Sequence, residues 1–164
     1  MAGFKFFKSV MYMKFKILEE YNKNLMYIDD ILNKSTVTNN LELHKLGTLL
    51  FGELFIGVFS ADKFPKYIKN NQMFIINNKS SKSTGEHWIA FIKSSKNKDR
   101  KPTLYAYDSF SRDVHSLSHY FKNRKFINAN TNRDQSMIES DCGQRAICYL
   151  ISFFSHGDKV MSII

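Results

Sequence analysis

Cys142 is followed by Gly143 and an apolar run, and Gln135 stands seven residues before it. Upstream lie His87, next to Trp88, and Asp108. These residue types divide the work of thiol-dependent acyl transfer: a sulfur nucleophile, an imidazole base, a carboxylate that orients the base, and an amide donor for a developing oxyanion. Each alone has a plainer reading. A lone cysteine is more often a small buried hydrophobe, and a lone histidine more often structural. The joint order His87, Asp108, Gln135, Cys142 selects the catalytic reading over four separate plain ones.

The elements that must position these groups follow from pattern. Ala146, Ile147, Leu150, Ile151 and Phe154 recur at three- and four-residue spacing, which predicts a helix over 142–154 with Cys142 in its first turn. The positive end of that helix favours a thiolate and offers the Cys142 backbone N–H to an oxyanion. The stretches 73–77, 87–92 and 104–108 read as buried strands, the last two antiparallel across a short connection. A hairpin of this kind sets the start of one strand beside the end of the next, which brings His87 to Asp108. Further strands are expected over 55–59 and 125–129. Helices are expected over 41–50, behind an Asn39 or Asn40 cap, and over 116–122. The expected class is α+β, a central mixed or antiparallel sheet packed against the helix that begins at the cysteine. Residues 1–36 read as an amphipathic arm that packs on the core, and 37–164 as the domain carrying the site.

At 164 residues the chain is long enough for one real core. Two cysteines do not make a disulfide scaffold, and a reducing compartment leaves Cys142 free to react. Cys148 falls on another helical face and reads as packing. His115 and His119 have the i, i+4 spacing of a metal pair but lack a third ligand, so they read as a solvated helical face and no metal is expected. Trp88 reads as core filling or as a shield beside the base. The formal charge is +9. Residues 63–101 hold ten Lys or Arg against Glu86 and Asp99, so most of the excess lies in one stretch suited to a polyanion, nucleic acid first. No stretch has the apolar length of a membrane span, and the lysines near the N-terminus break any secretory core.

Gly85-Glu86-His87-Trp88-Ile89-Ala90-Phe91 resembles the Gly-x-His-Trp-x-Ala-Phe segment of adenain, the adenovirus maturation protease. The stretch 57–65 resembles its Gly-Thr-Phe…Phe-Pro segment, and the seven-residue step from Gln135 to Cys142 is of adenain type. Asp141-Cys142-Gly143 and Tyr107-Asp108-Ser109 are closer to the related ubiquitin-like-protein proteases. The likeness covers roughly residues 40–154. It implies a cysteine endopeptidase in which Cys142 is the nucleophile, His87 the base, Asp108 the orienting acid in place of adenain's Glu, and Gln135 the oxyanion donor, with Trp88 and Gly143 beside the site. It further implies a viral or virophage-type enzyme that cuts capsid or core precursors next to small residues such as glycine, in the virion or the host cytoplasm or nucleus, with no cofactor required. Adenain is stimulated by DNA and by a disulfide-linked peptide. No cysteine here matches the linked one, the 63–101 stretch suits DNA, and the N-terminal arm could act as an activating segment in cis. Two other readings remain: a protease that removes ubiquitin-like modifiers, and a nucleic-acid-binding virion protein with a vestigial site.

Overall fold

The structure is a computed structural model that describes residues 2–32, 37–95, 101–129, 132–136 and 139–164, with the side chains of 2–9 and 162 left out of the description. Five strands form one mixed sheet in chain order: β1 (Phe55–Ser60), β2 (Met73–Asn77), β3 (Trp88–Ser94), β4 (Thr103–Tyr107) and β5 (Ile127–Asn128). The two outer pairs, β1–β2 and β4–β5, are parallel, and the two inner pairs are antiparallel. Among the described residues three α-helices complete the α+β fold: α1 (Ala2–Leu32), α2 (Asn40–Phe51) and α3 (Cys142–His156).

Side chains alternate between the two faces of a strand. On one face Met73, Ile75, Ala90, Ile92, Tyr105 and Tyr107 join the apolar stripes of α2 and α3. On the other, Phe74, Ile76, Ile89, Phe91 and Ala106 meet Phe64, Phe121 and Phe126 from the connecting segments. Phe74 and Phe91 are paired across β2 and β3 and stack with centroids 5.1 Å apart. Every residue of β2 is buried, as expected of a strand covered on both faces.

The arm packs on α3: Ile17, Tyr21 and Ile28 of α1 are buried in the same core as Ala146, Leu150 and Phe153. A capping box starts α2, with Asn39 Oδ1 accepting from the N–H of Leu41 (2.9 Å) and Glu42 (3.0 Å) and the Glu42 carboxylate accepting from Asn39 N–H (2.8 Å).

Two expectations fail in detail. The segment 116–122 is not one helix but part of two 3₁₀ turns, Val114–Ser116 and His119–Phe121, separated by Ser118 in extended conformation. Asp113 caps the first turn through its side chain, and Val114 and Phe121 point inward to fill the sheet's second face, so tertiary packing dictates the local path. The strand expected over 125–129 shrinks to the two residues of β5, because it pairs with β4 only at Tyr105–Ile127 and Ala106–Asn128.

Candidate active site

His87 directly precedes β3, and Asp108 directly follows β4. Ala90 pairs with Tyr107, a register that sets Asp108 across from Ile89 and diagonal to His87, within reach of a long side chain. The backbone of His87 is pinned by Asn78, whose N–H donates to His87 O (3.0 Å) and whose Oδ1 accepts from His87 N–H (3.1 Å). The imidazole Nε2 makes a short hydrogen bond with Asp108 Oδ1. The Cys142 thiol lies close enough to the same imidazole to favour its protonated form. With Asp108 on Nε2, Nδ1 is the ring nitrogen left to serve the sulfur.

Asp108 has no exposed surface, yet its carboxylate is well supplied with donors. Arg112 gives Nε (2.9 Å) and its backbone N–H (3.0 Å) to Oδ2, and Nη2 (3.3 Å) to Oδ1. The N–H of Phe110 reaches Oδ1 at 3.3 Å. The tight turn 108–112, with Ser111 at a φ of 55°, wraps the backbone around the acid. Burial works against the charge, but His87 and Arg112 outweigh it and hold Asp108 well below the usual carboxylate range. Burial likewise opposes protonation of His87, and the Asp108 and Cys142 partners reverse the balance, so the imidazole sits above its ordinary value. The ring also faces Phe110, with centroids 5.3 Å apart, and the Arg112 guanidinium lies over that aromatic, 4.8 Å from its centroid.

Cys142 begins α3 and is 7% exposed. Asp141 precedes it at the cap position, but its carboxylate grips Arg145 Nε (3.0 Å to each oxygen) and caps no N–H of the first turn. Gly143 is required by close approach: a Cβ there would overlap Thr38 Oγ1 and stand 3.1 Å from Trp88 Cδ1. Thr38 in turn is buried, and its carbonyl accepts the Trp88 indole N–H at 3.0 Å. The segment before α2 is thus strapped across the start of α3.

Beside the strap runs a cleft of about 560 Å³, bordered by Val37, Phe59, Lys63, Ser81, Trp88 and Cys142 among others. Gly85 lies in its wall, where a Cβ would come within 2.7 Å of Asn77 Nδ2.

Gln135 is buried in the loop before α3 and does not itself line the cleft. Its Oε1 accepts from Ser109 Oγ (2.5 Å), and one hydrogen of Nε2 goes to the Glu139 carbonyl (2.8 Å). The loop is held from behind. Tyr21 of α1 and Tyr107 of β4 both donate to Asp134 Oδ2, at 2.6 and 2.5 Å. Arg145 of α3 spans the Asp134 carbonyl, the Glu139 carboxylate (3.2 Å) and Asp141.

The structure therefore brings together His87, Asp108 and Cys142, with Trp88 at the cleft, Gly143 beneath Thr38 and Trp88, and Gln135 in the adjoining loop. Sequence reasoning missed Thr38, Asn78, Phe110, Arg112, Asp134 and Arg145. Arg112 carried a faint signal, a cation four residues after an acid. Trp88 does not screen the base by stacking; its ring roofs the helix start while Phe110 flanks the imidazole. Cys148 is fully buried, and burial pushes its thiol far up. His115 stacks on Phe126 in a 3₁₀ turn, so the helical spacing it seemed to share with His119 is not realised.

The basic stretch 63–101 divides in space. Lys63 and Lys79 border the cleft, whereas Lys66 and Lys93 border a second hollow with Arg124 and Lys125. Lys96, Lys98 and Arg100 lie outside the described residues. Among the described residues no cluster of His, Cys, Asp and Glu could hold a metal ion, and no helix is long and apolar enough to cross a membrane. A comparison with models of known protein families finds no match, and a search among curated proteins finds none either.

Proposed function

We propose that the chain is a cysteine endopeptidase of the adenain kind, which cuts capsid or core precursor proteins next to small residues such as glycine. The observation that carries this reading is the imidazole of His87, held on one nitrogen by a buried carboxylate and electrostatically coupled to the thiol that starts a helix beside an open cleft. A structural histidine has no need of that pairing with a sulfur.

The chemistry follows from the geometry. Nδ1 of His87 accepts the Cys142 proton, and the thiolate attacks the scissile carbonyl. Asp108 keeps the Nε2–H tautomer in place and stabilises the imidazolium. The tetrahedral oxyanion takes the Cys142 N–H and the Gln135 amide hydrogen not given to Glu139; one such donor is worth about 2.7–4 kcal/mol in the transition state. His87 then protonates the leaving amine, and water, activated by the same imidazole, releases the acyl group from sulfur. No residue of this scheme needs a cofactor. The cationic hollow around Lys66, Lys93, Arg124 and Lys125 suits a nucleic-acid backbone, and binding there would weaken steeply with salt.

The test is incubation with structural proteins encoded in the same genome, followed by N-terminal mapping of the fragments. Cleavage should occur beside glycine or another small residue and vanish in Cys142→Ala. Iodoacetamide supplies an independent check. Cys142 should react at least about a hundredfold faster than the buried, poorly ionised Cys148. Equal rates at the two thiols would remove the basis of the proposal.

A further inference from the structure

The first half of α1 has an apolar face that the core does not use. Ile17 and Tyr21 point inward and are fully buried. Met11, Phe15 and Leu18, at i, i+4 and i+7, form a separate stripe that is 45%, 67% and 40% exposed, with Tyr12 beside it at 73%. Lys14 and Lys16 flank the stripe and are exposed too. Residues 1–18 contain four lysines and no acid, whereas Glu19, Glu20, Asp29 and Asp30 follow in the second half of the helix. Apolar side chains and cations thus share one exposed surface, and the acids follow from Glu19 on, where Glu20 reaches back to Lys16 Nζ at 4.0 Å.

We propose that this half of α1 docks on an anionic lipid surface, its stripe entering the acyl boundary and its lysines lying among the headgroups. Charge selects this occupant. A second copy seated on the same stripe would crowd Lys14 and Lys16 against their own counterparts. A nucleic-acid backbone would satisfy the lysines and leave Phe15 and Leu18 in water. Only an anionic interface supplies both an apolar phase and negative charge to a helix lying in its plane. The inner stripe stays on α3 throughout, so docking needs no unfolding.

The experiment is co-sedimentation of the full chain with vesicles of phosphatidylcholine alone or mixed with phosphatidylglycerol. Binding to the mixed vesicles should exceed binding to the neutral ones at least about tenfold at low salt. Replacing both lysines, Lys14→Gln with Lys16→Gln, should weaken it about thirtyfold, since each lysine near such a surface counts for roughly a factor of five. Phe15→Ser with Leu18→Ser should remove it. These side chains are exposed, so circular dichroism and the Cys142 alkylation rate should stay at their unsubstituted values; Phe15→Ser alone serves if the pair perturbs folding. Three results would overturn the inference. One is no preference for anionic vesicles. Another is binding that duplex DNA reproduces and the serine substitutions leave intact. The last is self-association broken by the serines in a chain that binds no vesicle.

Discussion

Tyr21→Phe tests how far the N-terminal helix belongs to the machinery around the site. The substitution removes one hydroxyl from a fully buried position and leaves the ring to pack as before. That hydroxyl donates to Asp134 Oδ2 at 2.6 Å, with only Tyr107 OH (2.5 Å) as a comparably short donor to the same oxygen. Asp134 Oδ1 has no hydrogen-bond partner among the described residues, so the carboxylate depends on few donors. A hydrogen bond to a charged group is worth about 1.5–3 kcal/mol, which sets the expected loss of stability near pH 7. For a chain of this size that is a fall in Tm of about 3–12 °C. Burial raises the Asp134 pKa above its ordinary value, against the pull of Tyr107, Tyr21 and Arg145. A carboxylate raised in the folded state binds its proton more tightly there. Its contribution to stability is therefore greatest below the unfolded value and declines as pH rises to the folded one. Removing a donor that favours the anion deepens this decline, so the loss should be larger near pH 7 than near pH 4. Urea unfolding followed through Trp88, the single tryptophan, reads both quantities. A loss below about 0.5 kcal/mol at neutral pH, or one independent of pH, would refute the hydroxyl–carboxylate link. Because Gln135 follows Asp134, turnover should fall as well, while alkylation of Cys142 should not.

Asp108→Asn keeps an acceptor beside His87 but removes the charge that fixes its tautomer, so peptide turnover should drop on the order of 10⁴-fold; a drop below about tenfold would take the orienting role from Asp108. In a titration followed by NMR, the His87 ring should titrate above the ordinary histidine value, and Cys142→Ala should lower it by removing the sulfur partner. The sign for stability follows: the His87 contribution is full below about pH 6.5 and is lost as pH rises through the elevated folded value. That of Asp108, whose pKa is depressed, is present above about pH 3.9 and is lost as pH falls. An unshifted His87 in Cys142→Ala would mean that the thiol and imidazole do not interact. Gly143→Ala should cost about 1–3 kcal/mol by overpacking against Thr38 and Trp88, and should raise KM more than it lowers kcat because the cleft wall moves first; wild-type stability and KM would show that the strap is not seated on the helix.

Much of this molecule was legible in the linear order. Apolar runs of strand length, the helical spacing after Cys142 and the short connection between β3 and β4 are local signals, and local signals suffice for elements and for a hairpin. The hairpin alone accounts for the meeting of His87 and Asp108. What the order could not disclose is what crosses the fold. Thr38 lies over Gly143 although more than a hundred positions separate them, and nothing in either residue type announces the other. Arg145 is buried on an apolar helix, and the folded chain assembles Asp134, Glu139 and Asp141 around it. Residues 116–122 had an acceptable helical composition, yet the demand for Val114 and Phe121 beneath the sheet broke it into turns. The residue types determined which chemistry was available. The tertiary structure decided which carboxylate is desolvated, which cation neutralises it and which side of α1 is left to water, because desolvation and charge pairing depend on distances that no sequence spacing defines.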